Sequence, residues 1–155
     1  MNKLHIIGSN GFLGNAIKNI NKENPLVLWS HSCKNEDLFF DIYERKSWDK
    51  ILSNKPKNVI LLSWPGLPNY DHDFHLNKNL PALISFIDEL IESGLEKILI
   101  AGTCYEYGSL EGELNEMQDT DPQNFYALAK DTLRKYVELK FREKEIIYFW
   151  VRIFY

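Results

Sequence analysis

The stretch Leu4-His5-Ile6-Ile7-Gly8-Ser9-Asn10-Gly11-Phe12-Leu13-Gly14 decides the fold of this chain of 155 residues. Its first part predicts a strand, a glycine-rich turn follows directly, and Leu13, Ile17 and Ile20 then recur at near-helical spacing. A turn of this kind lets main-chain N–H groups approach a phosphate, which then lies at the positive end of the helix. The G-x-x-G-x-x-G spacing differs from the G-x-G-x-x-G of most dinucleotide-binding folds. Its position between the first strand and the first helix nevertheless favours nucleotide binding over a tight turn without a ligand.

The rest of the chain alternates apolar runs with longer amphipathic segments, which is the pattern of βαβ units. Further strands are predicted at Leu26–Trp29, Leu38–Phe40, Val59–Leu62, Ile98–Ala101 and Ile146–Val151. Further helices are predicted at Leu80–Ile91 and Tyr126–Lys144. We therefore expect an α/β fold, a Rossmann-type doubly wound parallel sheet of about six strands with helices on both faces. Residues 1–155 are expected to form one such domain.

Composition and charge exclude several classes of protein. A hydrophobic content of 45% with 14% aromatic residues is too apolar for a disordered chain. No run approaches the roughly 18 apolar residues of a membrane span, and no secretory leader is visible, so a cytoplasmic location is expected. The net charge of −4 argues against a nucleic-acid partner. Cys33 and Cys104 cannot form a disulfide scaffold, which favours a reducing compartment.

The residues after the second predicted strand bear on the choice of cofactor. An acidic residue there favours NAD, because it accepts a hydrogen bond from the free 2′-hydroxyl of the adenosine ribose. This chain has Ser30, His31 and Lys34, and no acid occurs before Glu36. Hydroxyls, an imidazole and an ammonium suit a 2′-phosphate, so the stretch favours NADP and leaves NAD open, as well as an ordinary loop role.

Tyr126 and Lys130 are one helical turn apart and share a face with Leu133 and Val137. A phenol is a poor base at neutral pH, and a nearby ammonium favours its phenolate form. Such a tyrosine can exchange a proton with a carbonyl or alcohol oxygen while a nicotinamide exchanges the hydride. The pair by itself is more typical of an amphipathic surface helix, and the glycine turn together with the strand order shifts the interpretation towards catalysis.

These motifs together resemble the extended short-chain dehydrogenase/reductase superfamily, specifically its NAD(P)-dependent sugar-nucleotide epimerase/dehydratase/reductase group. Asp41-Ile42 is similar to the family's pair that holds the adenine. The segment from Thr103 to Gly108 resembles the Ser/Thr-x-x-x-Tyr-Gly signature, and Pro122 precedes the Tyr126–Lys130 pair at the usual spacing. Leu62-Ser63-Trp64 stands where the family usually has Leu-Ala-Ala, so the tryptophan is a departure.

The resemblance implies roles for individual residues. Tyr126 would be the general acid/base, Lys130 would lower its pKa and bind the nicotinamide ribose, and Thr103 would bond the same substrate oxygen. The implied cofactor site comprises Gly8, Asn10, Gly11, Phe12, Leu13, Gly14, Ser30, His31, Asp41, Ile42, Leu62, Ser63, Asn79, Tyr126 and Lys130. For Asn79, Asp41 and Thr103, local roles as a helix cap, a turn residue and a backbone partner are the alternatives.

The resemblance also narrows the reaction on a nucleotide sugar. Dehydratases of the group carry an Asp-Glu or Ser-Glu pair directly after the threonine position, where this chain has Cys104 and Tyr105, and Glu106 comes one residue too late. This leaves a reductase of a 4-keto-6-deoxy sugar nucleotide or a 4-epimerase, with the reductase slightly favoured. A non-catalytic NAD(P)-binding module, or an inactive fragment of such an enzyme, is the alternative.

Further expectations concern length, assembly and metals. Family members are considerably longer, so the C-terminal substrate-binding lobe is expected to be absent from this chain, leaving weak turnover and exposed apolar surface. The resemblance implies a homodimer through the helices near 80–91 and 126–144. His72 and His75 have H-x-x-H spacing without further ligands nearby, so no metal site is predicted.

Overall fold

The computed structural model describes residues 3–21, 25–32 and 38–154. These residues form a five-stranded sheet in the order β2-β1-β3-β4-β5, in which every pairing is parallel. The strands are β1 (Leu4–Ile7), β2 (Leu26–Trp29), β3 (Asn58–Leu61), β4 (Lys97–Thr103) and β5 (Ile147–Ile153). The helices are α1 (Phe12–Ile20), α2 (Arg45–Ser53), α3 (Leu80–Glu92) and α4 (Phe125–Glu143). A π-helical turn, His75–Asn79, leads into α3, and a 3₁₀ turn, Cys104–Tyr107, follows β4.

The predicted Rossmann-type sheet is confirmed, but the prediction of about six strands is one too many for the described residues. The segment Leu38–Phe40 makes a single parallel bridge, between Phe39 and Ser30, and forms no ladder. The chain turns away at Asp41, whose backbone nitrogen and oxygen both bond the Ser47 hydroxyl in α2. Helix α2 itself was not predicted, because its sequence RKSWDKILS is largely polar and buries only a short apolar stripe.

The order of the strands positions the site. Parallel crossovers are right-handed, so α1 lies on one face of the sheet and α2, α3 and α4 lie on the other. The chain leaves β1 in one direction towards β2 and later continues from β3 in the opposite direction. This reversal opens a crevice at the carboxyl ends of β1 and β3, where open α/β sheets bind their ligands.

The core lies mainly between the sheet and the three helices α2, α3 and α4, which cover one of its faces. Phe86 and Leu90 of α3 and Leu133 and Val137 of α4 are fully buried there. The other face of β5 is open in the described structure, with Phe149 58% exposed and Ile147 51% exposed. None of the described helices combines the length and the apolarity that a bilayer-spanning segment needs.

Candidate functional site

The glycine turn is built so closely that two of its positions tolerate only glycine. Gly8 has a φ of +90°, and a Cβ atom there would lie 2.8 Å from the backbone nitrogen of Ser63. A Cβ atom at Gly14 would lie 2.6 Å from the carbonyl oxygen of Gly8. The N–H groups of Gly8 and Ser9 both donate to the carbonyl oxygen of Trp29, each at 3.0 Å, which ties the turn to the end of β2.

Helix α1 begins at this turn and points its first residues into a cavity of about 480 Å³. Its first N–H groups have no carbonyl partner within the helix. Gly11, at the N-cap position, has no side chain that could bond them. The cavity is lined by Gly8, Gly11, Phe12, Leu13, Gly14, Leu62, Trp64, Leu67, Ala101, Gly102, Thr103, Tyr126, Lys130, Ile153 and Phe154. It therefore unites the glycine turn with the predicted catalytic residues.

Lys130 lines the same cavity as the glycine turn. Its Nζ atom donates a 2.7 Å hydrogen bond to the carbonyl oxygen of Ala101 in β4. The same atom lies 4.1 Å from the centroid of the Trp64 ring. Burial lowers the pKa of Lys130 to about 7, while the carboxylate of Glu106 acts in the opposite direction. The ammonium is thus nearly removed from water but faces a ring and a carbonyl that favour positive charge.

Tyr126 occupies the first turn of α4. Asn124 caps this turn, because its Oδ1 accepts a 2.8 Å hydrogen bond from the backbone nitrogen of Ala127. The tyrosine is only 4% exposed and lies within a set of aromatic rings. Its ring centroid is 5.8 Å from that of Trp64, 5.6 Å from that of Tyr70 and 5.4 Å from that of His75. Packing therefore holds the Tyr126 ring in place. Its centroid lies 6.0 Å from Nζ of Lys130.

Thr103 ends β4 at the cavity, where a buried ionic network fixes the backbone. Its Oγ1 accepts a hydrogen bond from the backbone nitrogen of Tyr105, and its own nitrogen donates to Oε1 of Glu106 at 2.9 Å. Glu106 is fully buried and also accepts from Nε of Arg152 at 2.8 Å and from the Trp150 indole. The carboxylate of Glu106 is thus occupied by partners away from the cavity and is not among the groups that line it.

A second cavity, of about 340 Å³, lies at the other end of the crevice. Its lining includes four of the predicted cofactor-binding residues, His31, Asp41, Ile42 and Ser63, together with Trp64. Asp41 accepts from the backbone nitrogen of Tyr43 at 2.8 Å, and its Oδ2 lies 3.4 Å from Nε2 of His31. Trp64 lines both cavities, so the two lie next to each other at this residue.

Asn10 and Ser30 lie at the rim between the glycine turn and β2. The Ser30 hydroxyl is 3.1 Å from that of Ser32, which accepts from Nδ2 of Asn10 at 3.2 Å. The Lys18 ammonium donates to Oδ1 of Asn10 at 3.1 Å. This rim therefore carries hydroxyls and a cation in the described residues, whereas Cys33, Lys34 and Glu36 lie outside them.

Asn79 lies beneath the site and lines neither cavity. It is fully buried, its Nδ2 donates to the carbonyl oxygen of Pro65 at 2.9 Å, and its Oδ1 accepts from the Tyr43 hydroxyl. No side-chain capping bond from Asn79 to α3 is present. These bonds tie Asn79 to the segment after β3. The alternative role considered from the sequence, a side-chain cap of α3, is not observed.

Two residues that sequence reasoning did not assign to the site are Trp64 and His75. The indole Nε1 of Trp64 donates to Nδ1 of His75 at 3.0 Å, and Nε2 of His75 bonds the carbonyl oxygen of Asn69 at 2.8 Å. The sequence alone relates His75 only to His72, through the H-x-x-H spacing of a possible metal site. Within residues 3–21, 25–32 and 38–154, no three His, Cys, Asp or Glu side chains cluster as metal ligands would.

Comparison with known proteins decides the family. The model of the NAD dependent epimerase/dehydratase family matches residues 4–155. This chain belongs to that family. The family assignment predicted from the sequence motifs is therefore confirmed.

Several individual proteins are similar to this family member. The dTDP-6-deoxy-L-talose 4-dehydrogenase (NAD(+)) of Aggregatibacter actinomycetemcomitans is 26% identical over 162 residues, which cover 97% of this chain and 60% of that protein. The structure of RMD from Pseudomonas aeruginosa complexed with NADPH has a TM-score of 0.76 at 18% identity, covering 98% of this chain and 52% of that one. The UDP-glucose 4-epimerase of Thermus thermophilus, in complex with NAD, has a TM-score of 0.76 at 17% identity, covering 97% and 54%. The chain thus spans about 60% of the length of the curated relative it matches, and the structural likenesses concern the fold alone.

Proposed function

We propose that this chain binds NADP or NAD in the crevice and forms the cofactor-binding part of an oxidoreductase that acts on a nucleotide-linked sugar. One observation carries the proposal: the glycine turn and the pair Tyr126 and Lys130 line the same cavity. A dinucleotide occupies two neighbouring sites, and a second cavity shares the lining residue Trp64 with the first. The curated relative, a dTDP-6-deoxy-L-talose 4-dehydrogenase (NAD(+)), supports the same class of substrate and reaction.

The residues present fit such a cofactor. A pyrophosphate needs closely approaching main-chain N–H groups, and the close packing at Gly8 and Gly14 leaves no side chain between it and the start of α1. Asp41 and Ile42 would hold the adenine end in the smaller cavity. Lys130 would bind the hydroxyls of the nicotinamide ribose, because its Nζ faces the cavity beside Ala101.

The proposed chemistry assigns the proton steps to the chain. When bound, the nicotinamide would supply or accept the hydride. Tyr126 would give a proton to a carbonyl oxygen, or take one from an alcohol, because its ring lies in the cavity close to a cation. Thr103, at the end of β4, would hold the same substrate oxygen by a hydrogen bond and so orient it towards Tyr126.

Within this class we propose a 4-keto-6-deoxy sugar reductase or a 4-epimerase, with the reductase favoured. Water elimination needs an additional acid beside the substrate. Cys104 and Tyr105 follow Thr103, and the nearest carboxylate, on Glu106, is fully buried against Arg152 and Trp150. A single proton donor suffices for reduction of a ketone.

We further propose that NADP is preferred over NAD. A 2′-phosphate would meet the hydroxyls of Ser30 and Ser32, the His31 imidazole and the Lys18 ammonium at the rim. These groups donate hydrogen bonds to a phosphate, and two of them can carry positive charge. No acidic side chain occupies the position directly after β2, where a carboxylate would repel it.

The test is a titration of the purified 155-residue chain with NADPH and with NADH, followed by energy transfer from its four tryptophans to the nicotinamide. We expect saturable binding of both, tighter for NADPH. Lys130→Met removes the bond to the ribose and should weaken both about tenfold or more, since a hydrogen bond to a charged group contributes about 1.5–3 kcal/mol. Absence of binding in a chain that circular dichroism shows to be folded would contradict the proposal. Binding of cofactor together with turnover of no nucleotide sugar would favour a non-catalytic binding module.

A further inference from the structure

His75 is a buried imidazole whose hydrogen bonds fix its protonation state. The indole N–H of Trp64 can only donate, so Nδ1 of His75 must accept. Asn79 Nδ2 lies 3.2 Å from the same nitrogen and can serve as a second donor. The proton of the neutral ring is therefore on Nε2, which donates to the carbonyl oxygen of Asn69 at 2.8 Å. Nδ1 cannot be protonated while it accepts the hydrogen bond from the Trp64 indole.

Trp64 is the part of the site that depends on this bond. Its indole lies over the Lys130 ammonium, meets the Tyr126 ring edge to face at 5.8 Å, and lines both cavities of the crevice. The residue is only half-buried, so packing alone restrains it less than it restrains a core tryptophan. The hydrogen bond to His75 is its directional restraint among the contacts described.

We propose that His75 is an acid-sensitive positioning residue: as a neutral ring it holds Trp64 over Lys130, and protonation of Nδ1 releases the indole and weakens cofactor binding. The effect on cofactor binding rests on the proposed function, because Trp64 lines both cavities and would contact a dinucleotide bound in them. The part concerning Trp64 and Lys130 is a property of the chain without any ligand.

The surroundings of His75 agree with a neutral resting state. Burial lowers the pKa of His75 below its ordinary value of 6.5, and His72 and Lys130 act in the same direction, while the bond to Asn69 opposes them. The titratable groups near the ring include His72 on the preceding turn, which is itself 3.1 Å from the Asp73 carboxylate, Tyr126 and Lys130 from α4, and Tyr43 beyond Asn79. The charged groups that act on the pKa of His75 are His72 and Lys130, and both lower it.

The chain contains a matched internal control. Trp29 Nε1 donates to Nδ1 of His5 at 3.1 Å, and the two rings stack with centroids 6.1 Å apart, the same separation as in the Trp64–His75 pair. His5 is buried between the first strands, and its pKa is also lowered by burial. This pair lines neither cavity, so its protonation should disturb Trp29 and leave Trp64 over Lys130.

The test follows the indole N–H protons of the four tryptophans by NMR in the cofactor-free chain, with Trp64→Phe and Trp29→Phe assigning two of them. On acidification below about pH 6.5, the Trp64 resonance should move in one step together with the His75 ring protons. His75→Asn keeps an acceptor close to the Nδ1 position that cannot be protonated, so the Trp64 step should vanish and the Trp29 step remain. His5→Asn should give the converse pattern.

His75→Gln is the complementary variant, because its longer side chain places the amide near the Nε2 position and leaves the indole without its acceptor. Its Trp64 resonance should lie at the released position already at neutral pH. Its affinity for NADPH should fall about three- to tenfold, as expected when one side chain must be ordered on binding. Wild-type affinity should fall by a similar factor on acidification, and that of His75→Asn should not.

A Trp64 resonance that stays in place while the His75 ring titrates would overturn the proposal. The same holds if His75→Gln leaves the resonance at its wild-type position. Movement of the indole without a parallel loss of NADPH affinity would overturn the link to the cofactor site. If NADPH binds to no variant at any pH, the proposed function has failed, and the indole resonance alone decides whether His75 restrains Trp64.

Discussion

The carboxylate of Glu106 accepts a 2.8 Å hydrogen bond from Nε of Arg152, although the two residues are 46 positions apart in sequence. Glu106 is fully buried, and the side chain of Arg152 is 11% exposed. The pair connects the end of β4, which carries Thr103, to the end of β5. It therefore supports the wall of the cavity on which the proposed proton chemistry depends.

Glu106→Gln should destabilise the chain strongly, because it leaves the buried Arg152 guanidinium without a counter-charge. Breaking a buried ion pair from one side costs about 3–5 kcal/mol. Urea unfolding followed by circular dichroism measures the difference in free energy of unfolding. The control is Glu96→Gln in the half-exposed Lys57–Glu96 pair, where a loss of less than about 1 kcal/mol is expected. Equal losses in the two variants would refute a structural role of the buried network.

Gly14→Ala should abolish cofactor binding, since its Cβ atom would overlap the Gly8 carbonyl oxygen and the Ser9 backbone. The helix and the turn would have to move apart, and the first N–H groups of α1 would leave their positions. Calorimetric titration with NADPH measures the loss. Gly112→Ala is the control for a destabilised backbone without a clash, because a Cβ atom there meets nothing within 4 Å while its φ of +91° strains any side chain. Retention of wild-type affinity in Gly14→Ala would show that the turn does not bind the cofactor.

Lys130 should make the stability of the cofactor-free chain depend on pH. Its pKa is lowered from 10.5 to about 7 in the folded state, so between these values the unfolded chain binds the additional proton. The free energy of unfolding must then rise with pH, by at most about 1.4 kcal/mol per pH unit, and lose this contribution as pH falls towards 7. Urea titrations between about pH 7.5 and 9.5 should show the slope in wild type and its loss in Lys130→Met. An identical slope in both proteins would mean that Lys130 titrates normally.

His31→Asp should change the preference between the two cofactors. The side chain of His31 is 76% exposed, so the substitution should not disturb folding. A carboxylate at this rim would repel a 2′-phosphate and would accept a hydrogen bond from a free 2′-hydroxyl. NADPH affinity should therefore fall at least tenfold, which corresponds to about 1.4 kcal/mol of binding free energy. NADH affinity should hold or improve.

His72→Asp is the control for that experiment, because it makes the same change of charge on a side chain that is 61% exposed and lines neither cavity. Its ratio of NADPH to NADH affinity should equal that of wild type. A similar loss of NADPH affinity in both variants would indicate a general effect of net charge, and the rim would then not read the 2′ position.

The sequence was sufficient for those features whose physics is local. A glycine turn, a strand-to-helix junction and the i, i+4 pair Tyr126 and Lys130 are each specified within a few residues, and the structure brings them to one cavity. The third predicted strand was wrong because Phe39 has strand-like character but finds a single bridging partner, Ser30. The length of a short apolar run does not determine how many backbone pairs it forms with a neighbouring strand.

Features that join distant segments could not be predicted. Trp64 and His75 meet because the chain after β3 turns back on itself, and nothing in either residue's neighbours encodes that contact. Glu106 was noted only for being one position too late for dehydration, whereas its burial against Arg152 and Trp150 depends on the pairing of β4 with β5. Such contacts follow from the tertiary fold, in which each partner is supplied by a different strand or loop.

Amide NMR shifts of the 18.2 kDa chain on addition of NADPH show whether a nicotinamide dinucleotide binds in the crevice between the glycine turn and α4. We expect the largest shifts at Gly8, Gly11, Gly14 and Thr103, and little change in α2 (Arg45–Ser53) apart from Ser47, whose hydroxyl bonds the Asp41 backbone. Shifts confined to other surfaces, or no shifts at saturating NADPH in a folded chain, would rule out this binding site.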